Sequence, residues 1–479
     1  MSVRLRFAPS PTGELHIGSV RTILYNHLFA RQRGGRLILR IEDTDQERLV
    51  PGAVDSIYAG LHWLGITWDE GPREGGPHAP YVQSERLPLY QKHAQELVDK
   101  GAAYYCFCSK ERLAELRRQQ EARRELTRYD RHCRNIPAAE AATRAKTESH
   151  VIRLKVPDEG TLSIEDLVHG HIEWQANTIE DQVLLKSDGF PTYHLAVVVD
   201  DHVMEITHIM RGEEWVASVP KHLLIYRAFG WEVPPMAHVP AVLGPDGKKL
   251  SKRHGSTAVA EFRKDGYLPE ALLNYLALVG WAPGTEEEVF SMDDLIRVWK
   301  IEQVQSAPGK WDKERLDYFN GVWIRRLSTD ELVRRLEPFV PPEWDRALLR
   351  KVTPLIQERM KTLRDAKDQI AFLFTDELAY DGVPLTPKQK DAISTIEALA
   401  TATVPLRFAD PFTKPAIESA LHGAAQERGW TVGDLNMAVR LAVTGRKVGP
   451  PLYESLELLG KDKTLARIER AQERLAEIK

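Results

Sequence analysis

The chain has 479 residues, enough for about two to four domains, and an ordinary composition of 43% hydrophobic, 28% charged and 8% aromatic residues. This mix excludes a wholly disordered, collagen-like or coiled-coil chain, and the strongest apolar run, around Tyr275–Ala282, falls far short of the roughly twenty residues of a membrane span. A net charge of −4 means that any nucleic-acid surface must come from local clusters, and three cysteines cannot build a disulfide framework. Arg4 and Arg6 stand where a secretory signal would be building its apolar centre, so a reducing, cytoplasmic home is expected.

Val3–Ala8 alternates apolar and polar residues and predicts a strand. Pro9-Ser10-Pro11-Thr12-Gly13 must then be a loop, because two prolines and a glycine stop any ladder. Ile17, Val20, Ile23, Leu24, His27 and Leu28 recur at helical spacing, and Gly34-Gly35 closes that helix. Leu37–Ile41 predicts a second buried strand, ending in Glu42-Asp43-Thr44-Asp45. Strand, loop, helix and strand make a βαβ unit, the start of a parallel nucleotide-binding sheet.

From about Tyr81 to His194 the alternation breaks, with a charged helical stretch predicted over Lys110–Arg134. Leu195–Val199 predicts a strand running into Asp200-Asp201, as if the sheet resumed after an insertion, and Val203–Met210 and Arg211–Trp215 follow. Gly244–Gly247 spells a turn directly before Lys248–Arg253. From about Ser328 helical patterns dominate.

Two segments carry chemistry. A polyphosphate needs donors at a helix N-terminus, where unpaired backbone N–H groups and the helix dipole favour anions. His16 sits there, and Gly18 lacks a side chain that would keep an adenine off the backbone. The alternative is a helix cap with an incidental histidine, but the segment follows a strand and opens a helix, as the phosphate reading requires. Lys249-Leu250-Ser251-Lys252-Arg253 supplies the second element. Adenylation needs positive charge where a departing pyrophosphate develops its own, and lysines on a turn can close onto it; a solvated basic loop is the plainer alternative.

The Pro-Ser-Pro-Thr-Gly-x-x-His-Ile-Gly loop, Ile41–Asp45 and Lys249–Arg253 together resemble class I aminoacyl-tRNA synthetases, and more narrowly bacterial glutamyl-tRNA synthetases. Gln83–Arg86, Leu184–Gly189 and Pro191–His194 also match that family. The resemblance implies a Rossmann-type catalytic domain (1–81 and 195–246) with an inserted tRNA acceptor-binding domain (82–194). It further implies a linking domain carrying the lysine loop (247–328) and a helical anticodon-binding domain (329–479), in a monomer. The implied reaction activates glutamate with ATP and Mg²⁺ and transfers it to the terminal adenosine of tRNA(Glu). By the family's pattern His16, Lys249 and Lys252 are catalytic, and His16, Gly18, Glu214 and Lys252 contact ATP.

Telling glutamate from glutamine means telling a carboxylate from an amide of nearly equal size. Shape cannot do this, whereas a fixed guanidinium pairs with carboxylate oxygens and gains nothing from an NH₂ group. Arg6 matches the family's glutamate-reading arginine, and Glu42 is placed to hold the ammonium group. By the same resemblance Tyr193 and Arg211 complete the family's amino-acid pocket, with Ala8 and Ser10 lining it. Val197 stands where the family often has asparagine, so one polar contact is expected to be missing or made by water.

All three cysteines fall within one 28-residue window. Some relatives bind a structural zinc here, which would take Cys106, Cys108, Cys133 and Tyr129, with His132 nearby and Asn135 replacing a histidine ligand of other relatives; three ordinary thiols are the alternative. Lys110–Arg134 holds nine basic against five acidic residues, and Arg346–Lys367 seven against two, both consistent with tRNA. Arg359 lies where the family's anticodon-reading arginine falls. A glutaminyl-tRNA synthetase shares the motifs but usually reads Pro-Glu-Pro in the first loop and carries a β-barrel anticodon part. A small-molecule nucleotidylyltransferase would not need the C-terminal half. A non-catalytic tRNA-binding module would have lost the catalytic set.

Overall fold

The structure is a computed structural model describing residues 2–378, 380 and 384–477, with Lys252 described by its backbone alone. The chain divides into two compact units, Met1–Phe262 with Leu272–Lys313, and Arg263–Ala271 with Glu314–Lys479.

In the first unit β1 (Arg4–Phe7) is buried along its whole length and leads through the proline loop into α1 (Ile17–Gln32). Gly34 in the left-handed region ends that helix, and β2 (Arg36–Leu39) returns parallel to β1, pairing Arg6 with Ile38 and Phe7 with Leu39. The predicted βαβ unit is therefore present. After α2 (Ala53–Trp63) comes the stretch in which the alternation breaks: α3 (Leu87–Asp99), β3 (Ala103–Cys106), α4 (Lys110–Ala122), α5 (Ala138–Arg144) and β4 (Val151–Leu154). A hairpin of β5 (Thr161–Asp166) and β6 (Gly170–Gln175) follows, then β7 (Val183–Leu185). Strands β3, β4 and β7 form an antiparallel sheet.

Two expectations about elements fail here. The helix predicted over Lys110–Arg134 stops at Ala122. Arg124 turns into the left-handed region, and the Gln120 side chain bonds both the N–H and the C=O of Arg128, so the chain doubles back and lays Tyr129 and Cys133 on the end of β3. Leu195–Val199, predicted as a strand, lies in a helix, α6 (Tyr193–Val203). Every residue from Leu195 to Asp201 is buried, so the helix shows no polar stripe, and a short apolar run rich in valine carries no period that separates the two states.

The parallel sheet resumes at β8 (Ile209–Gly212), crosses through α7 (Val219–Phe229) and continues in β9 (Met236–Val239), parallel to β8. The hairpin adds to this sheet's edge, giving the order β6-β5-β9-β8. The backbone N–H of Thr207 donates to the Arg4 carbonyl at 3.0 Å, joining the approach to β8 to β1. The C-terminal ends of β1, β2, β8 and β9 thus open on one side, where open α/β sheets bind ligands. The Gly244–Gly247 turn is present, with Gly247 at φ +74°.

The second unit is helical among its described residues, as the sequence predicts. Its longer helices include Arg346–Gln357, Ala392–Phe408, Lys414–Arg428, Val432–Thr444 and Lys461–Glu477. They pack around a buried aliphatic core that includes Leu349, Ile356, Leu399, Leu421 and Ile468. No described helix is long and apolar enough to cross a membrane.

Candidate active site

At the C-terminal ends of the parallel strands lies a cavity of about 500 Å³. Arg6, Ala8, Ser10, His16, Gly18, Glu42, Tyr193, Arg211, Glu214 and Lys249, all singled out from the sequence, line it. Val197 is buried and is not part of this wall, so its difference from asparagine removes no polar group from the described cavity lining.

Arg6 is only 4% exposed, so it is a buried charge and not a surface arginine. Its Nε donates to Asp201 Oδ1 at 3.0 Å and its Nη1 to the Met210 carbonyl at 3.4 Å, so the guanidinium is held from one side. Asp201 also accepts from Arg40 Nη1 at 2.8 Å, and Arg40 Nη2 donates to Glu42 Oε1 at 2.9 Å. Asp200, the neighbouring carboxylate, takes Arg86, Gln83 and Tyr90. Three buried arginines therefore face three buried carboxylates behind the cavity wall, each charge countered as burial demands. Burial pushes the Asp201 carboxyl up, but Arg6 and Arg40 outweigh it and hold its pKa below the usual carboxylate range. For Glu42 burial wins: its pKa is raised, with Arg40 and Arg6 opposing the shift.

Arg40, Asp200 and Asp201 were missed as site residues by the sequence reading. The available signal was Arg40 itself, a charge among the apolar residues of the predicted strand Leu37–Ile41. Trp215 was also missed; it packs over Tyr193 with ring centroids 4.1 Å apart and forms part of the cavity wall.

His16 caps α1, its Nδ1 accepting the Gly18 N–H at 3.0 Å. An accepting Nδ1 puts the proton of the neutral ring on Nε2. A Cβ at residue 18 would meet that Nδ1 at 3.3 Å, so glycine serves the cap as well as the open floor of the cavity. Lys249 Nζ lies 3.5 Å from Glu214 Oε1, both largely exposed at the rim. The Lys252 side chain lies outside the described residues.

The sulfur atoms of Cys106, Cys108 and Cys133 lie within 4.8 Å of one another. Tyr129 Oη is 3.3 Å from Cys106 Sγ and 3.6 Å from Cys108 Sγ, and Cys108 Sγ is 3.6 Å from Cys133 Sγ. A tetrahedral zinc with bonds near 2.3 Å needs ligand separations of about 3.8 Å, so the donor set fits that ion. Burial pushes the Cys106 thiol up, while hydrogen bonding with Tyr129 and the Cys108 N–H, and the nearby Arg153 guanidinium, bring its pKa below the ordinary value. The His132 ring is not part of this cluster. Arg359 belongs to the second unit, exposed and with Nη1 bonded to the Gly449 carbonyl.

Residues 2–318 match the family model described as tRNA synthetases class I (E and Q), catalytic domain, and residues 331–472 match the anticodon binding domain. A glutamate–tRNA ligase of Dehalococcoides mccartyi strain CBDB1 is 45% identical over 484 residues, covering 99% of this chain and 98% of that protein. One from Roseiflexus castenholzii is 46% identical over 485 residues, covering 98% and 96%. The crystal structure of a glutamate tRNA ligase from Elizabethkingia meningosepticum, in complex with its amino acid, superimposes with a TM-score of 0.88 at 35% identity, covering 99% of this chain and all of that one. The two halves of the sequence, the parallel-sheet cavity and near-full-length relatives agree, and the chain belongs to the glutamate–tRNA ligases, class I aminoacyl-tRNA synthetases that use ATP.

Proposed function

We propose that this cavity is where glutamate and ATP meet, with roles divided between its two sides. The observation that carries the reading is that two arginines and a carboxylate, Arg6, Arg211 and Glu42, line one cavity with the capped N-terminus of α1. Arg6 reads the side-chain carboxylate, Glu42 takes the ammonium group, and Tyr193 and Arg211 complete the pocket with Ala8 and Ser10. The α-carboxylate attacks the α-phosphorus of ATP, which arrives with Mg²⁺ as part of the substrate, giving glutamyl-adenylate and pyrophosphate. A ribose hydroxyl of the terminal adenosine of tRNA(Glu) then takes the glutamyl group and AMP leaves. His16, Lys249 and Lys252 stabilise charge on the phosphates, and Gly18 and Glu214 border the nucleotide.

His16→Ala and Lys252→Ala test the phosphate side. Adenylate formation, followed by pyrophosphate exchange with tRNA present, is expected to fall about 100-fold or more in each, while tRNA affinity stays within about twofold. Equal losses in both would move these residues to tRNA docking.

The insertion over 82–194 serves the tRNA acceptor end, 247–328 links it to the rest, and 329–479 reads the anticodon with Arg359; the local excess of basic residues supports this division. The protein works as a cytoplasmic monomer. Cys106, Cys108, Tyr129 and Cys133 would hold one zinc ion, which would tie the doubled-back segment to β3 and do no chemistry. Elemental analysis of purified protein is expected to find about one zinc per chain, lost in Cys133→Ser. Metal-free protein whose three thiols all react in the native state would contradict this.

A further inference from the structure

We propose that His238, fixed in one tautomer by Asp166, positions Arg211 so that one edge of its guanidinium is presented to a carboxylate of glutamate. The inference rests on the reading of Arg211 as a glutamate ligand.

The three residues lie on neighbouring strands. Asp166 ends β5, His238 is in β9, and Arg211 stands opposite His238 in β8. They are 4%, 0% and 6% exposed, so their hydrogen bonds to one another are made in a buried setting. Asp166 Oδ1 accepts the backbone N–H groups of Val168, His169 and His238 at 3.0, 3.0 and 3.3 Å. Asp166 Oδ2 is 2.6 Å from His238 Nδ1. Burial pushes the Asp166 carboxyl up, but His238 and the two loop N–H groups together bring its pKa below the usual range, so it is ionised and can only accept. The proton of the neutral ring is therefore on Nδ1, and Nε2 carries the lone pair. Arg211 Nε donates to that lone pair at 3.1 Å.

The rest of the guanidinium is equally constrained. Nη1 donates to Tyr193 Oη at 3.0 Å and faces His222 Nδ1 at 3.3 Å. Nη2 is buried and has no protein partner. Because the group is planar, holding Nε and Nη1 fixes the direction of Nη2. Arg211 thus keeps a buried donor unpaired, and it lines the cavity.

Asp166→Asn separates this role from a structural one. The three backbone N–H groups keep the amide oxygen on their side, so the NH₂ group faces His238 Nδ1 and demands an acceptor there. The ring must move its proton to Nε2, donor against donor with Arg211 Nε, with little change in volume. In the full-length enzyme, with glutamate and ATP varied separately in aminoacylation, Asp166→Asn and His238→Ala are expected to raise KM for glutamate about tenfold or more and KM for ATP by less than about twofold. Nitrogen-15 NMR of histidine-labelled protein is expected to show His238 Nε2 unprotonated in the wild type and protonated in Asp166→Asn. Unchanged glutamate KM, or glutamate and ATP KM rising together, would overturn the proposal. If Asp166→Asn does not fold, His238→Ala decides by the same split. Arg211→Lys distinguishes the two levels: no effect on glutamate KM would overturn the reading of Arg211 itself, whereas a rise there with none in the other two variants would overturn only the relay.

Discussion

Arg6→Gln is expected to lower kcat/KM for glutamate about a thousandfold while leaving KM for ATP within about twofold. Glutamate and glutamine differ by a carboxylate and an amide of one shape, so the discriminating term is the charge-assisted pair with a fixed guanidinium. Truncating one partner of a buried pair leaves the other charge uncompensated, which typically costs about 3–5 kcal/mol. Glutamine at residue 6 reaches only about as far as the arginine Nε, so it can still donate to Asp201 but loses the charge and the outer edge of the guanidinium. Asp201 still has Arg40 at 2.8 Å, so the wall behind the pocket retains a counter-charge. Steady-state kinetics with each substrate varied in turn check this, and normal glutamate kinetics would contradict the assignment of Arg6.

Arg40→Met is expected to destabilise the protein by about 3–5 kcal/mol at neutral pH, seen as a lower midpoint in chemical denaturation. Arg40 is fully buried and lies within 4 Å of Glu42, Asp200 and Asp201. The sign of the pH dependence follows. Asp201 has a folded pKa below its unfolded value of about 3.9, so its stabilising contribution is present above that pH and is lost as pH falls through the folded pKa. Without Arg40 the folded pKa values of Asp201 and Glu42 rise, and ionised carboxylates destabilise the variant at pH 7. The deficit relative to wild type is therefore expected to narrow as pH is lowered from 7 towards about 5, where protonation neutralises them. A deficit that is small, or that does not change with pH, would mean the cluster does not depend on Arg40.

These two arginines also show what a sequence can and cannot reveal. His16 and Gly18 are legible because a strand–loop–helix segment brings them to the end of a parallel strand, and Arg6, Ala8 and Ser10 lie on the same segment, whose resemblance to the family marks them. Glu42 is legible for the same reason, one strand later. Arg40 touches Asp201 across 161 residues, and His238 meets Asp166 across 72, separations at which no local pattern operates. The misreading of Leu195–Val199 as a strand hid the network further. A strand would have sent Asp200 and Asp201 to opposite faces, whereas the helix turns both into the buried cluster. The cysteines were legible as a cluster, but the closing of Tyr129 onto them required the chain reversal after Ala122.

The most direct test of the pocket reading is aminoacylation by the purified enzyme with ATP and Mg²⁺, offering labelled glutamate and labelled glutamine in parallel to a tRNA(Glu) transcript. If Arg6 reads the side chain as proposed, glutamate is attached about a thousandfold or more efficiently than glutamine, because a guanidinium pairs with a carboxylate and not with an amide. Comparable charging with glutamine would contradict that reading, since an amide would then be accepted by a site built around Arg6 and Arg211.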